Sequence, residues 1–261
     1  MIPIYQVDSF TSKAFAGNPA AVVILPQPKE DHWLKAVAAE MNLSETAFLQ
    51  RAEGGWHLRW FTPQVEVDLC GHASLASAHV LFSQGYEAGD EITFFSNSGE
   101  LKAKKAGDWL ELDFPAEPPQ PADLPPVIIT TLGFQPLYIG RNRFDYIVEA
   151  PSEEVIRKLA PDMAILATLD ERGLMVTAPA STPGYDFVSR FFAPGIGIPE
   201  DPVTGSAHCC LGPYWQERLG KTQFLARQLS PRGGDVRVTL QGQRVLLGGQ
   251  AVLVLKGELL G

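Results

Sequence analysis

The feature that most constrains what this chain can fold into is an internal repeat. The segment Trp60-Phe61-Thr62-Pro63-Gln64-Val65-Glu66-Val67-Asp68-Leu69-Cys70 aligns with Phe191-Phe192-Ala193-Pro194-Gly195-Ile196-Gly197-Ile198-Pro199-Glu200-Asp201 at a constant offset of 131 in a chain of 261 residues. A self-match at half the chain length means that two similar units were joined, and each must bury its own core. Both copies run on into stretches rich in small residues, 73–82 and 205–215, which are expected to be equivalent helices. Three strand-like runs follow each helix, at 92–95, 101–104 and 109–114 in the first copy and at 223–226, 235–240 and 244–247 in the second.

Ahead of the first copy, 4–7, 21–25 and 46–49 read as strands. Between them, 31–41 reads as an amphipathic helix with Trp33, Leu34, Val37, Ala38 and Met41 on one side. Between the copies, 115–126 carries six prolines in twelve residues, which favours an extended spacer and places the boundary there. The expected domains are therefore 1–117 and 127–261, with the last strand able to cross to the first half. Many short strands around one small-residue helix define an α+β class. The expectation is two pseudo-symmetric domains, each a curled, mainly antiparallel sheet around a central helix thin enough to sit inside it. Pseudo-twofold symmetry would set the two helix starts face to face across a ligand cleft.

Charge and patterning exclude several function classes. Lys and Arg number 21 against 30 Asp and Glu, a net charge of −9, and the basic residues form no stripe that could track phosphates, so no nucleic-acid partner is expected. The longest apolar runs, such as 20–25 and 251–255, are far short of a bilayer span, so no membrane partner is expected either. No basic region followed by an apolar one opens the chain, which points to the cytoplasm. Cys70, Cys209 and Cys210 form no disulfide framework and read as reduced thiols.

The chemistry-bearing residues concentrate at the two helix starts. Cys70-Gly71-His72-Ala73-Ser74 opens one helix and Asp201-Pro202-Val203-Thr204-Gly205-Ser206-Ala207-His208 the other. Gly71 and Gly205 let backbone come close to a ligand, and free N–H groups with the helix dipole favour an anion, most simply a carboxylate. Ser74, Thr204 and Ser206 equally suit plain helix capping. The repeat sets Cys70 against Asp201, a thiol against a carboxylate with ordinary pKa values of about 8.5 and 3.9. That mismatch excludes two-thiol racemisation and leaves Cys70 open between chemistry and simple packing. His72, at the mouth of its helix, suits carboxylate binding or proton relay, whereas His79 reads as a packing residue. Cys70, His72, His208 and Cys209 match no usual ligand spacing, and no metal is expected.

Taken in order, Phe15-Ala16-Gly17-Asn18-Pro19-Ala20, Ser44-Glu45-Thr46-Ala47-Phe48, Leu69-Cys70-Gly71-His72-Ala73-Ser74 and Glu200-Asp201-Pro202-Val203-Thr204-Gly205-Ser206-Ala207 closely resemble the PhzF family of phenazine-biosynthesis-like isomerases over nearly the whole chain. The resemblance implies the diaminopimelate-epimerase-like fold, a site between the domains, a homodimer and chemistry without a cofactor. In phenazine-pathway members the glutamate of the second motif moves a proton across dihydro-hydroxyanthranilate. That residue corresponds to Glu45, with His72 and Asp201 assisting and Asn18, Ser44, Gly71, Ser74, Gly205 and Ser206 completing the substrate-binding set. The diaminopimelate epimerases have cysteines at both pseudo-equivalent places, whereas this chain has Cys70 and Asp201, which favours the isomerase branch. The expected function is cofactor-independent proton movement on a small carboxylated metabolite, with Glu45 as acid and base and apolar neighbours such as Phe48 and Phe61 shielding its carboxyl. A thiol-dependent racemase using Cys70 and a non-catalytic small-molecule-binding protein are the alternatives.

Overall fold

The structure is a computed structural model that describes residues 1–260. The chain divides into two compact units. The first comprises Met1–Asp113 and the C-terminal stretch from Gly248, and the second Phe114–Leu247.

The first unit contains β1 (Ile2–Ser9), β2 (Asn18–Leu25), α1 (Asp31–Met41), β3 (Glu45–Ala52), β4 (Gly55–Phe61), β5 (Glu66–Val67), α2 (Gly71–Ser83), β6 (Glu91–Ser96), β7 (Gly99–Ala106) and β8 (Trp109–Pro115). In the second are β9 (Gln120–Pro121), α3 (Pro126–Leu132), β10 (Tyr138–Arg141), β11 (Asp145–Glu149), α4 (Glu153–Lys158), α5 (Met163–Leu166), β12 (Gly173–Pro179), β13 (Phe187–Ala193), β14 (Ile198–Asp201), α6 (Gly205–Leu219), β15 (Gln223–Gln228), β16 (Gly234–Gln241) and β17 (Arg244–Gly249). The last strand, β18 (Ala251–Leu259), pairs antiparallel with β1.

Strand pairing repeats from unit to unit. In the first, β1–β2 is antiparallel, β2–β3 parallel, β3–β4 and β4–β5 antiparallel, β4–β6 parallel and β6–β7 antiparallel. In the second the same sequence of ladders runs through β10–β11, β11–β12, β12–β13, β13–β14, β13–β15 and β15–β16. The fold is thus a duplicated α+β architecture in which antiparallel pairs outnumber parallel ones.

A helix made of small residues occupies the middle of each unit. Nine residues of α2 are buried, from His72 to Leu81, and it touches β1, β2, β3, β7 and β18. Its Ser74 and Ser77 hydroxyls donate back to the carbonyls of Cys70 and Ala73 at 2.6 and 2.7 Å, so polar residues sit in a dry core fully satisfied. With α2 on one face and α1 on the other, β2 is buried on both and reads as an unbroken apolar run. In α6 the close approach is made at Gly212, where a Cβ would lie 2.8 Å from Val238 Cγ1. The next residue, Pro213, has no N–H for the carbonyl four residues back. That carbonyl, of Cys209, accepts from the Glu117 N–H at 3.0 Å.

The same contact explains why the proline run is not a loose spacer. Ala116 N–H donates to Gln243 O at 2.8 Å and β9 pairs with β10, so the division falls ahead of the prolines. The second core lies between α3, α4 and α5 and the sheet, built on Ile128, Ile156, Leu166, Tyr146, Val176 and Phe192.

One buried carboxylate holds this layer together. Glu153, 2% exposed, accepts from the Ser181 and Thr182 amides at 2.6 and 2.9 Å, from both of their hydroxyls, and from Arg157. Burial alone would push its carboxyl up, but the bonds from Thr182, Arg157 and Ser181 outweigh it and hold the group down to about 2. A depressed carboxyl stabilises the fold above the ordinary value of 4.5 and loses that contribution as the pH falls toward 2. Glu153→Gln is expected to cost about 2–4 kcal/mol at neutral pH, since several buried donors lose a charged acceptor. Urea unfolding of both proteins between pH 7 and 2 checks this. The gap should close on acidification, and a gap that stays constant contradicts it.

Candidate active site

In the first unit the site is assembled by the start of β2, the start of β3 and the first turn of α2. The turn into β2 is unusually constrained. Phe10, Phe15 and Gly17 all have left-handed φ values of 63°, 68° and 64°, and at Gly17 a Cβ would lie 2.2 Å from the Ser9 carbonyl, so only glycine fits. Buried Asp8 fastens the turn by accepting from the Phe15 N–H at 2.6 Å. The turn delivers Asn18, fully buried, to the mouth of α2, and the parallel β2–β3 register places Glu45 beside Ala20 at the same end.

There Glu45 Oε2 lies 3.2 Å from His72 Nε2, and both side chains are nearly buried, at 12% and 6% exposure. On the far side of the imidazole, Nδ1 is 3.2 Å from Asn18 Nδ2 and 3.5 Å from Cys70 Sγ. An amide N–H directed at Nδ1 leaves the ring proton on Nε2, where it faces the Glu45 carboxylate. Ser9 fixes the helix start by donating to the His72 carbonyl at 2.8 Å. Burial pushes the His72 imidazole down to about 3, so at neutral pH it is an uncharged donor. Glu45, Cys70 and His72 could each offer one atom to a metal, all within 4.8 Å of one another.

Three expectations need correction. The shielding of Glu45 by Phe48 and Phe61 is not what the sheet provides: side chains alternate along β3, and both rings belong to the cluster packed against α1, opposite the face that Glu45 shares with Ala47. Ser74, expected to bind substrate, donates its hydroxyl to the Cys70 carbonyl inside the helix. The alignment of Cys70 with Asp201 also fails. β4 and β13 keep the sequence offset, but Trp60 pairs with Val67 whereas Phe191 pairs with Asp201, and a 3-10 turn at Pro194–Ile196 sits in the second copy beside a bulge in the register. Cys70 is the N-cap of α2 and Thr204 the N-cap of α6, so the thiol corresponds to Thr204 and Asp201 to Val67. A mirrored thiol–carboxylate pair has no basis in the scaffold.

In the second unit Asp201 ends β14, almost buried, and accepts from Thr204 Oγ1 at 2.5 Å. Gln228, fully packed at the end of β15, donates to the Asp201 carbonyl at 2.7 Å and accepts from the Thr204 N–H at 2.9 Å. Gly205 is buried in the first turn of α6, and Ser206, partly exposed, receives Arg172 Nη2 at 3.0 Å. His208 donates from Nδ1 to the Thr204 carbonyl at 2.8 Å, and burial pushes it down to about 4. Of the remaining expected residues, Ser44 precedes β3 and Gly71 opens α2, both partly exposed. Arg172 and Gln228 were not singled out from sequence. The signal for Arg172 is its place just before the strand that repeats β3; nothing in the sequence marks Gln228. Cys209 and Cys210 are buried thiols, pushed up by burial, Cys209 to about 12.

A duplicated α+β scaffold with a carboxylate–imidazole pair at a buried helix mouth is the class of protein that this fold and site define. The chain belongs to the PhzC-PhzF family of phenazine biosynthesis-like proteins, whose model matches residues 7–257. It is 56% identical over 260 residues to a protein of Halalkalibacterium halodurans named as an uncharacterized isomerase, covering 99% of this chain and 98% of that one. A crystal structure of a PhzF-family phenazine biosynthesis protein from Enterococcus faecalis superposes with a TM-score of 0.94 at 42% identity, covering 98% of both chains. A probable proline racemase from Agrobacterium radiobacter shares the fold, with a TM-score of 0.66 at 12% identity over 99% of this chain and 93% of that one. Among the described residues no helix is long and apolar enough to cross a membrane.

Proposed function

We propose that this protein is a cofactor-independent isomerase that moves a proton on a small carboxylated metabolite, with Glu45 as the acid and base. The observation that carries the reading is the Glu45–His72 contact at 3.2 Å, backed on the other side of the ring by Asn18. A carboxylate set 3.2 Å from a neutral imidazole nitrogen at a buried helix mouth has a proton-transfer group positioned beside it, which is the arrangement acid–base chemistry needs. Glu45 removes a proton from carbon next to a carbonyl or double bond and returns it on the same face. His72 steadies the carboxylate before transfer and accommodates the carboxylic acid after it. Asp201, whose orientation is set by Thr204 and Gln228, handles heteroatom protons. The relatives named as isomerases support the reaction class.

A metabolite screen in D2O tests this: the pure protein is incubated with pools of small carboxylic acids, and mass spectrometry looks for a compound that gains deuterium or rearranges. A saturable binder that gains no label and yields no product would favour the binding-protein reading. The contact of Cys70 with His72 Nδ1 at 3.5 Å is the one observation favouring thiol chemistry. Cys70→Ser is expected to keep activity within about tenfold, because a hydroxyl can still donate to Nδ1 but is a far weaker acid than a thiol. A loss of a thousandfold or more would return the racemase reading to first place.

A further inference from the structure

Proton transfer by Glu45 and His72 leaves the Cys70 thiol unused, although it is buried at the same helix mouth. Three different donors converge there within the first unit: a thiol from the N-cap of α2, an imidazole from its second residue and a carboxylate from the first residue of β3. Glu45 Oε2 lies 3.2 Å from His72 Nε2, Cys70 Sγ lies 3.5 Å from Nδ1, and one ligand atom from each residue falls within 4.8 Å of the others. This set differs from the one weighed from the sequence, because His208 and Cys209 belong to the second unit and Glu45 reaches the helix mouth only through the parallel β2–β3 register.

The geometry points to Glu45, Cys70 and His72 as a binding site for zinc or a similarly thiophilic divalent cation, which would inhibit the proton transfer proposed above. Only the inhibition rests on the isomerase reading; the site stands apart from it. Thiolate, imidazole and carboxylate are the ligand classes that zinc takes from proteins, and three of them leave the fourth tetrahedral position to water. With bonds of about 2.0–2.3 Å, the ligand atoms of such a site stand about 3.3–3.8 Å apart. The imidazole gives the ion one nitrogen and keeps its proton on the other. One of the two short contacts then becomes a ligand edge, and the widest pair, at most 4.8 Å, closes by about 1–1.5 Å. Asn18, 3.2 Å from Nδ1, orients the ring as an outer partner. The thiol loses its proton to solvent on binding. Sulfur selects the ion, since magnesium and calcium take oxygen ligands. An ion held there occupies the carboxylate that would otherwise receive the substrate proton.

Isothermal titration of the full-length, chelator-treated protein with zinc chloride tests the site without any turnover. One ion is expected to bind per chain with about micromolar affinity or tighter, and magnesium should not bind. The cobalt(II) form should show a sulfur-to-metal charge-transfer band in the near ultraviolet. Cys70→Ser and Cys70→Ala, with circular dichroism unchanged, should lose that band and weaken zinc binding about tenfold or more, since even an outer partner of a metal site is commonly worth that much. Glu45→Gln should keep the band and bind zinc several-fold more weakly. In deuterium exchange, zinc should stop label incorporation by the wild type and EDTA should restore it. Absence of one-to-one zinc binding, or a band and an affinity that survive in a folded Cys70 variant, overturns the site. Zinc bound through Cys70 without slowing exchange overturns the inhibition. A wild type that binds zinc but exchanges no label counts against the isomerase reading and leaves the site standing.

Discussion

Replacing Glu45 with Gln is expected to lower turnover by about 10²–10⁴-fold, the usual worth of a positioned proton-transfer group. The change is nearly isosteric, removes the only charge in the Glu45–His72 contact and leaves the apolar face of β3 untouched, so the fold should survive it. His72 cannot stand in as the base. With its imidazole pushed down to about 3 by burial it is neutral throughout the physiological range, and its Nε2 lies 3.2 Å from the Glu45 carboxylate. The same depression has a stability consequence with a definite sign: His72 and His208, pushed down to about 3 and 4, cost nothing above their ordinary value of 6.5 and destabilise the fold progressively as the pH falls below it. Glu45→Asp keeps the carboxylate but withdraws it by one methylene, and an intermediate loss is expected because proton transfer is steep in distance. Activity in Glu45→Gln within tenfold of wild type, with circular dichroism unchanged, would contradict the assignment.

The largest expected effect on stability is at Phe187. It is fully buried at the start of β13, stacked on Trp215 with centroids 5.6 Å apart and planes 12° apart, on His208 at 6.1 Å, and edge-on to Phe224 at 5.8 Å. Trp215 is tied in turn to Thr177 Oγ1 at 3.0 Å. This stack seats α6 against the sheet and so fixes its N-cap Thr204 and the Ser206 of its first turn. Phe187→Ala should cost about 3–5 kcal/mol, the sum of lost apolar transfer and of a cavity that stiff aromatic neighbours cannot collapse. Phe187→Leu, which keeps most of the volume, should cost about 1–2 kcal/mol. Urea midpoints of the two variants check the order, and a loss below 1 kcal/mol for Phe187→Ala would contradict the packing account.

Much of the scaffold was legible because its signals are local. α1 falls where the spacing of Trp33, Leu34, Val37, Ala38 and Met41 puts it, and α2 opens at the glycine of its motif. The three strands after each central helix follow from alternation and turn residues. What stayed hidden depends on pairing between distant segments. The three-residue shift that moves Asp201 away from Cys70 arises at a bulge and a 3-10 turn after β13, where sequence similarity continues smoothly across the irregularity. The faces of Phe48 and Glu45 follow from β3 alternation only once it is known that helices pack on both sides of the sheet. The proline run gave no hint that Pro213 leaves a carbonyl for Glu117 to satisfy. Gln228 is a strand-end glutamine in sequence and the clamp of Asp201 in space.

Proton transfer by Glu45 is tested most directly by carbon–deuterium exchange. The acid found by the screen is incubated in D2O with wild-type protein and with Glu45→Gln at equal concentration, and label at the reacting carbon is followed by mass spectrometry. The expected result is steady incorporation with the wild type and none above the protein-free blank with the variant. Equal rates of incorporation in the two samples would contradict it.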